Sequence, residues 1–216
     1  MIMGSPMRRS CAERKLAESI AVTIASTKCS LQETLPRRSL RCFTRSFESP
    51  MNISFSIERT AQLSPCGRYR YELSRRWGLG PPVLFCCLNP STADALVDDP
   101  TIRRCIGFAK GWGFNAMEMV NVFALRSTDP KVLKQDLDPV GPDNRIHIEA
   151  AAGRARDGGR IVAAWGGSLG TLRWRWFSEV VTILSRHSEL WCLGKTQAGA
   201  PKHPLYLASD TSLCLY

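Results

Sequence analysis

Six consecutive apolar residues, Val83 to Leu88, stop abruptly at Asn89-Pro90. A strand with one wet face alternates apolar and polar residues. An unbroken run predicts a strand covered on both faces, as in a parallel sheet. Pro90 has no N–H to give a ladder, so the strand must end at Asn89. Polar residues crowd the chain just beyond it: Ser91, Thr92, Asp94, then Asp98 and Asp99. Open α/β sheets hold ligands outside the carboxyl ends of their strands, so a site is expected on this loop.

The chain after Asn89 repeats the same grammar. Asp99 reads as a helix N-cap and Pro100 as a first helical residue, with Ile102, Cys105, Ile106 and Ala109 on one face. Strand patterns over 116–123, 160–165 and 188–193 alternate with helical ones over 141–156 and 169–184. Ahead of the central run, Ile53, Phe55 and Ile57 alternate with polar residues. Ser64-Pro65-Cys66-Gly67 is a turn signal, and residues 68–73 read as the antiparallel partner. Arg75-Arg76-Trp77 reads as an exposed rim of that hairpin. The expected fold is α/β: an open, mostly parallel four-stranded central sheet with helices on both faces, preceded by an antiparallel hairpin.

The domain is expected to span residues 51–216. Residues 1–50 are rich in Arg and Ser, lack a sustained apolar period and read as a disordered or spurious extension. Their best apolar patch, 20–25, is too short for a secretory signal, and four acidic residues argue against an organelle presequence. The net charge of +10 divides evenly: nine Lys and Arg against four acids in 1–50, twenty against fifteen in 51–216. The domain is therefore mildly basic, which suits a DNA, RNA or nucleotide partner without requiring one. No apolar stretch approaches membrane-spanning length, so no membrane partner is expected.

The nine cysteines show no C-x-x-C spacing and no grouping with histidine, and Cys86-Cys87 sit inside the apolar run. Free thiols in a reducing, cytoplasmic setting are expected, with no metal and no cofactor. Gly166-Gly167-Ser168 between a strand and a helix can cradle phosphate, but it matches neither the P-loop nor the dinucleotide fingerprint.

Asn89, Asn121, Gly166 and Lys195 all fall at or just beyond strand carboxyl ends, which a parallel sheet brings to one edge. The Asn89 amide can hold a water, or simply close the turn with Ser91 and Thr92. Asp94, Asp98 and Asp99 can act as a general base or bind a hard cation, although Asp99 reads first as a cap and Asp98 as its solvated neighbour. Arg126 can clamp a phosphate or pair with Asp129. His147 and His187 read as surface residues on helices. His203, between Lys202 and Pro204, is the histidine best placed for acid–base work.

Leu88-Asn89-Pro90-Ser91-Thr92-Ala93-Asp94 and the run from Asp98 to Arg104 resemble an uncharacterised bacterial and phage family, domain of unknown function 1643. Asn121-Val122-Phe123-Ala124, Asp138-Pro139-Val140-Gly141-Pro142, Ala164-Trp165-Gly166 and His203-Pro204-Leu205-Tyr206-Leu207 extend the likeness over roughly 64–207. More loosely, the order Asn89-Pro90, Asn121, His203-Pro204 is similar to that of uracil-DNA glycosylase-like proteins. That resemblance implies hydrolysis of an N-glycosidic bond. Asn89 would position the attacking water, Asn121 would read the base, and His203 would stabilise the departing base, while Asp94 joins the catalytic candidates on its residue type as a general base. Pro90, Ser91, Thr92, Arg126, Gly166 and Lys195 would line or rim the substrate site. Cys87 and Ser91 depart from that pattern where glycines are usual, as does Leu205 where a serine follows His-Pro. Two other readings stay open: a non-catalytic nucleotide or nucleic-acid binder, and a metal-dependent phosphoester hydrolase using Asp94, Asp98 or Asp99.

Overall fold

The structure is a computed structural model that describes residues 56–167 and 174–216. The reading of residues 1–50, and of Ile53 and Phe55 as strand residues, lies outside them. Among the described residues a single sheet has seven strands in the order β1-β2-β4-β3-β5-β6-β7. The strands are β1 (Glu58–Leu63), β2 (Arg70–Arg76), β3 (Val83–Cys87), β4 (Ala116–Asn121), β5 (Arg160–Ala163), β6 (Leu190–Cys192) and β7 (Cys214–Leu215). The helices are α1 (Pro100–Gly111), the short α2 (Val132–Gln135), α3 (Asn144–Arg154) and α4 (Trp174–His187), with a 3-10 turn at Pro204–Tyr206.

The four expected parallel strands form the middle of the sheet, since β4, β3, β5 and β6 pair in parallel. The expectation of four strands with a separate hairpin is corrected at both edges. β2 pairs antiparallel with β4, so the hairpin continues the same sheet, and β7 adds an antiparallel strand beyond β6. The sheet is seven-stranded and mixed. Ile57 precedes the first strand, which is Glu58–Leu63. Five of its six residues are exposed, so its backbone ladder to β2 holds it.

Every residue of β3 is buried, which explains its unbroken apolar run. Leu84 and Cys86 join the cluster under α3 and α4, with Ile148, Ala151, Ile183 and Leu184. Val83, Phe85 and Cys87 join the opposite cluster under α1, with Ile102, Cys105 and Phe108. Helices therefore cover both faces. Helix α1 starts where the sequence indicates, Asp99 Oδ1 accepting the Ile102 N–H at 2.8 Å with Pro100 in the first turn.

Two features of β2 shape the site. Pairing advances from Gln62 to Leu63 on β1 while β2 moves from Glu72 to Arg70, which leaves Tyr71 as an extra, bulged residue. Tyr71 packs towards α3 against His147, whereas Leu73 belongs to the α1 side. Arg75 is also corrected: it is wholly buried, not an exposed rim. Its Nη2 bonds the Asp94 carbonyl and its Nε bonds Asp98, while Arg70 Nη1 bonds the Ala93 carbonyl. Two buried arginines thus strap the loop after β3 onto the sheet.

The loop after β3 leads to α1 on one face. The loops after β4 and β5, the two neighbours of β3, lead to α3 and α4 on the other face. The carboxyl ends part above β3, and a crevice opens there.

Candidate functional site

That crevice is a cavity of about 520 Å³. Leu88, Asn89 and Ser91 reach it from the loop after β3, and Ser127, Thr128 and Pro130 from the loop after β4. Trp165, Gly166 and Gly167 arrive after β5, and His203, Leu205 and Tyr206 from the C-terminal segment. Arg70, Cys87 and Met119 line it from the sheet, and Asp99 and Thr101 from the start of α1. Asn89, Ser91, Gly166 and His203, spread over more than a hundred residues of sequence, therefore share one cavity.

Asn89 is fixed in orientation. Its Nδ2 donates to the carbonyls of Pro90 at 3.1 Å and Ser127 at 2.8 Å. The Ser127 N–H in turn bonds the Pro90 carbonyl at 2.9 Å, so the two loops brace each other. Both amide hydrogens point at backbone, which leaves Oδ1 as an acceptor for water or ligand.

His203 begins the 3-10 turn, and its Nδ1 accepts the Leu205 N–H at 3.3 Å. With Nδ1 accepting, the neutral ring carries its proton on Nε2. Burial pushes its pKa below the ordinary 6.5, and the charge of Asp99 only partly opposes this. The ring is thus a neutral donor in the range where free histidine starts to charge. Gly166 has φ +72°, a left-handed conformation that a side chain rarely adopts, and the site of an added Cβ lies 3.7 Å from His203 Cβ.

Arg70 is the lining residue that the sequence did not disclose. It is 1% exposed, and among the described residues no carboxylate pairs with it. Its partners are neutral: the Ala93 carbonyl at 2.8 Å, Asn121 Oδ1 at 3.2 Å and the Met119 sulfur at 3.8 Å. Burial pulls its pKa down to about 10, against the opposing charge of Asp99.

Six other expected site residues lie outside the lining. Asn121 is buried behind Arg70, its Oδ1 committed to that guanidinium and its carbonyl to Asn144 Nδ2. It orients an arginine from outside the cavity lining. Asp94 also stands outside the lining, and its Oδ1 accepts the N–H groups of Leu96 and Val97, which close a turn and hold its pKa down. Pro90 is buried, contributing its carbonyl to Asn89 and Ser127, and Thr92 is exposed. Arg126 Nη1 bonds the Gly67 carbonyl, and Lys195 lies over the Tyr216 ring. Asp98, expected to be solvated, pairs with Arg75 and Arg59. His147 and His187, expected at the surface, are half-buried and bond Glu72 and Glu149. Among the described residues no group of three His, Cys, Asp or Glu side chains is placed to hold a metal, and no helix is long and apolar enough to cross a membrane.

Residues 70–205 match the family described as Protein of unknown function (DUF1643). The chain belongs to that family. The span matched by DUF1643 contains every described lining residue except Tyr206, so the family and the cavity coincide. No curated protein and no solved structure matches the chain. The sequence carries no signal for Arg70, because Tyr69, Tyr71 and Leu73 alternate without a break and its burial depends on the loop at 93–98 folding back over β2.

Proposed function

We propose that the cavity binds a nucleotide or nucleic acid and hydrolyses its N-glycosidic bond, as the likeness to uracil-DNA glycosylase-like proteins implies. The supporting observation is that Asn89 and His203 line one cavity with complementary hydrogen-bonding roles. A water held on Asn89 Oδ1 is positioned to attack the anomeric carbon. His203 Nε2–H then donates to the base as negative charge develops on it, an interaction stronger in the transition state than in the ground state. Trp165 and Tyr206 supply aromatic surface for the base. The six described cysteines are free, which suits work in a reducing compartment such as the cytoplasm.

The test is release of free base, followed by chromatography, from nucleotides and from single- and double-stranded oligonucleotides. Asn89→Ala should abolish release while leaving binding nearly intact. If the wild-type protein binds these substrates and releases no base from any, the reading fails.

One observation favours a second reading, a non-catalytic nucleotide-binding module. Asn121, to which the resemblance assigns base reading, is occupied by Arg70. The metal-dependent phosphoester hydrolase has less support, because Asp94 closes a turn, Asp98 pairs with arginines and Asp99 caps α1.

A further inference from the structure

A buried guanidinium held only by neutral acceptors is a charge without a counter-ion, and such charges are costly unless something anionic meets them. Arg70 Nε is itself buried and has no partner among the described residues, although the side chain lines the cavity. A second, independent donor points the same way. In the first turn of α1, Pro100 has no N–H, the Ile102 N–H is capped by Asp99, and the Arg103 N–H bonds the Asp99 carbonyl. The Thr101 N–H is the remaining donor of that turn, and Thr101 also lines the cavity. A helix start carries partial positive charge, so both features select an anion.

We infer that the ligand presents a terminal phosphate to Arg70 and the Thr101 N–H, so that the substrate is a free nucleoside monophosphate. This inference rests on the preceding reading for the nucleoside part alone. A tetrahedral dianion can meet donors from two directions at once. Arg70 is recessed in the sheet, where a chain-end phosphate can reach, whereas an internal diester must continue outward on both sides. The volume of about 520 Å³ suits a single small molecule. Asp99 is the one carboxylate among the described lining residues, and it opposes the anion.

The experiment is calorimetric titration of the full chain with orthophosphate, nucleoside monophosphates, the matching nucleosides and an oligonucleotide without terminal phosphates. Monophosphates should bind about tenfold or more tighter than nucleosides, the worth of a charge-assisted contact. Orthophosphate should compete with them, and the oligonucleotide should bind less well. Arg70→Met should erase the preference. Asp99→Asn keeps a good N-cap, so it tests the idea even if the Arg70 variant does not fold. Removing that like charge should tighten monophosphate binding about threefold or more. Equal affinity for nucleosides, preference for the oligonucleotide, or no gain in Asp99→Asn would each overturn the inference. Monophosphate binding without base release would sink the glycosidic reading and leave this one standing. Equal base release from nucleosides and monophosphates would do the reverse.

Discussion

Arg75, wholly buried, donates its Nε to Asp98 Oδ1 at 2.8 Å. The same carboxylate receives the half-exposed Arg59 through Oδ2 at 2.7 Å. The two ion pairs look alike on paper and differ in worth. Removing the acid strands a buried guanidinium, which costs about 3–5 kcal/mol, whereas an exposed pair contributes about 0–1 kcal/mol. Asp98→Asn should therefore lower the denaturant-derived stability by about 3 kcal/mol or more, and Arg59→Ala by less than about 1 kcal/mol. Similar losses from both variants would show that Arg75 finds other support.

Phe85 is fully buried and stacks on Trp112, with ring centroids 6.0 Å apart. Truncating it leaves a cavity between β3 and α1. Phe85→Ala should cost about 3–5 kcal/mol in chemical denaturation. A loss below about 1 kcal/mol would mean that α1 collapses onto the sheet to fill the space.

The depressed pKa of His203 has a definite sign. The folded protein holds the ring neutral, while the unfolded chain takes up a proton near the ordinary 6.5. Stability from this group is thus unchanged above that pH and falls as pH drops from there towards the folded value. His203→Gln should remove that part of the pH dependence, measured as melting temperature across the acid range. For base release by the wild type, the acid limb should lie below 6.5, because down to there Nδ1 stays unprotonated and keeps the Leu205 N–H that orients the ring. An acid limb above that value would assign the titration to another group.

The thiols divide by burial. Cys66 is exposed, and its bond with Ser64 is the first cause that lowers its pKa, whereas burial pushes the Cys86 and Cys105 thiols well up. Iodoacetamide followed by peptide mass mapping should modify Cys66 rapidly in the native protein and spare Cys86 and Cys105 until it unfolds. Prompt modification of Cys86 would contradict burial of β3 on both faces.

The parallel middle of the sheet was legible because its signals are local. Val83 to Leu88 is apolar without interruption, and Asp99-Pro100 announces α1 within four residues. The edges were not, for opposite reasons. Glu58–Leu63 is almost wholly exposed, so it has no apolar alternation to read, and Cys214–Leu215 is too short to have any period. Asn89 and His203 were legible as polar residues ending or following apolar strands. Arg70 and Arg75 were not, because arginine is rarely buried and the type alone argues for solvent. What buries them is a set of loop groups at Ala93, Asp94 and Asp98, supplied by tertiary structure.

The extra residue at Tyr71 does more than bend a strand. Side chains along a strand change sides at every step, so one added residue shifts the phase of everything beyond it. Arg70 bonds Met119 and Ala93, both on the α1 side, as Leu73 and Arg75 also are. In an uninterrupted strand Arg70 would stand on the opposite side from Leu73 and Arg75, among the residues under α3. A change that straightened the strand while keeping Tyr71 would alter neither the length of the chain nor the order of its elements, yet it would take Arg70 out of the cavity and leave Asp99 as the charged group among the described lining residues.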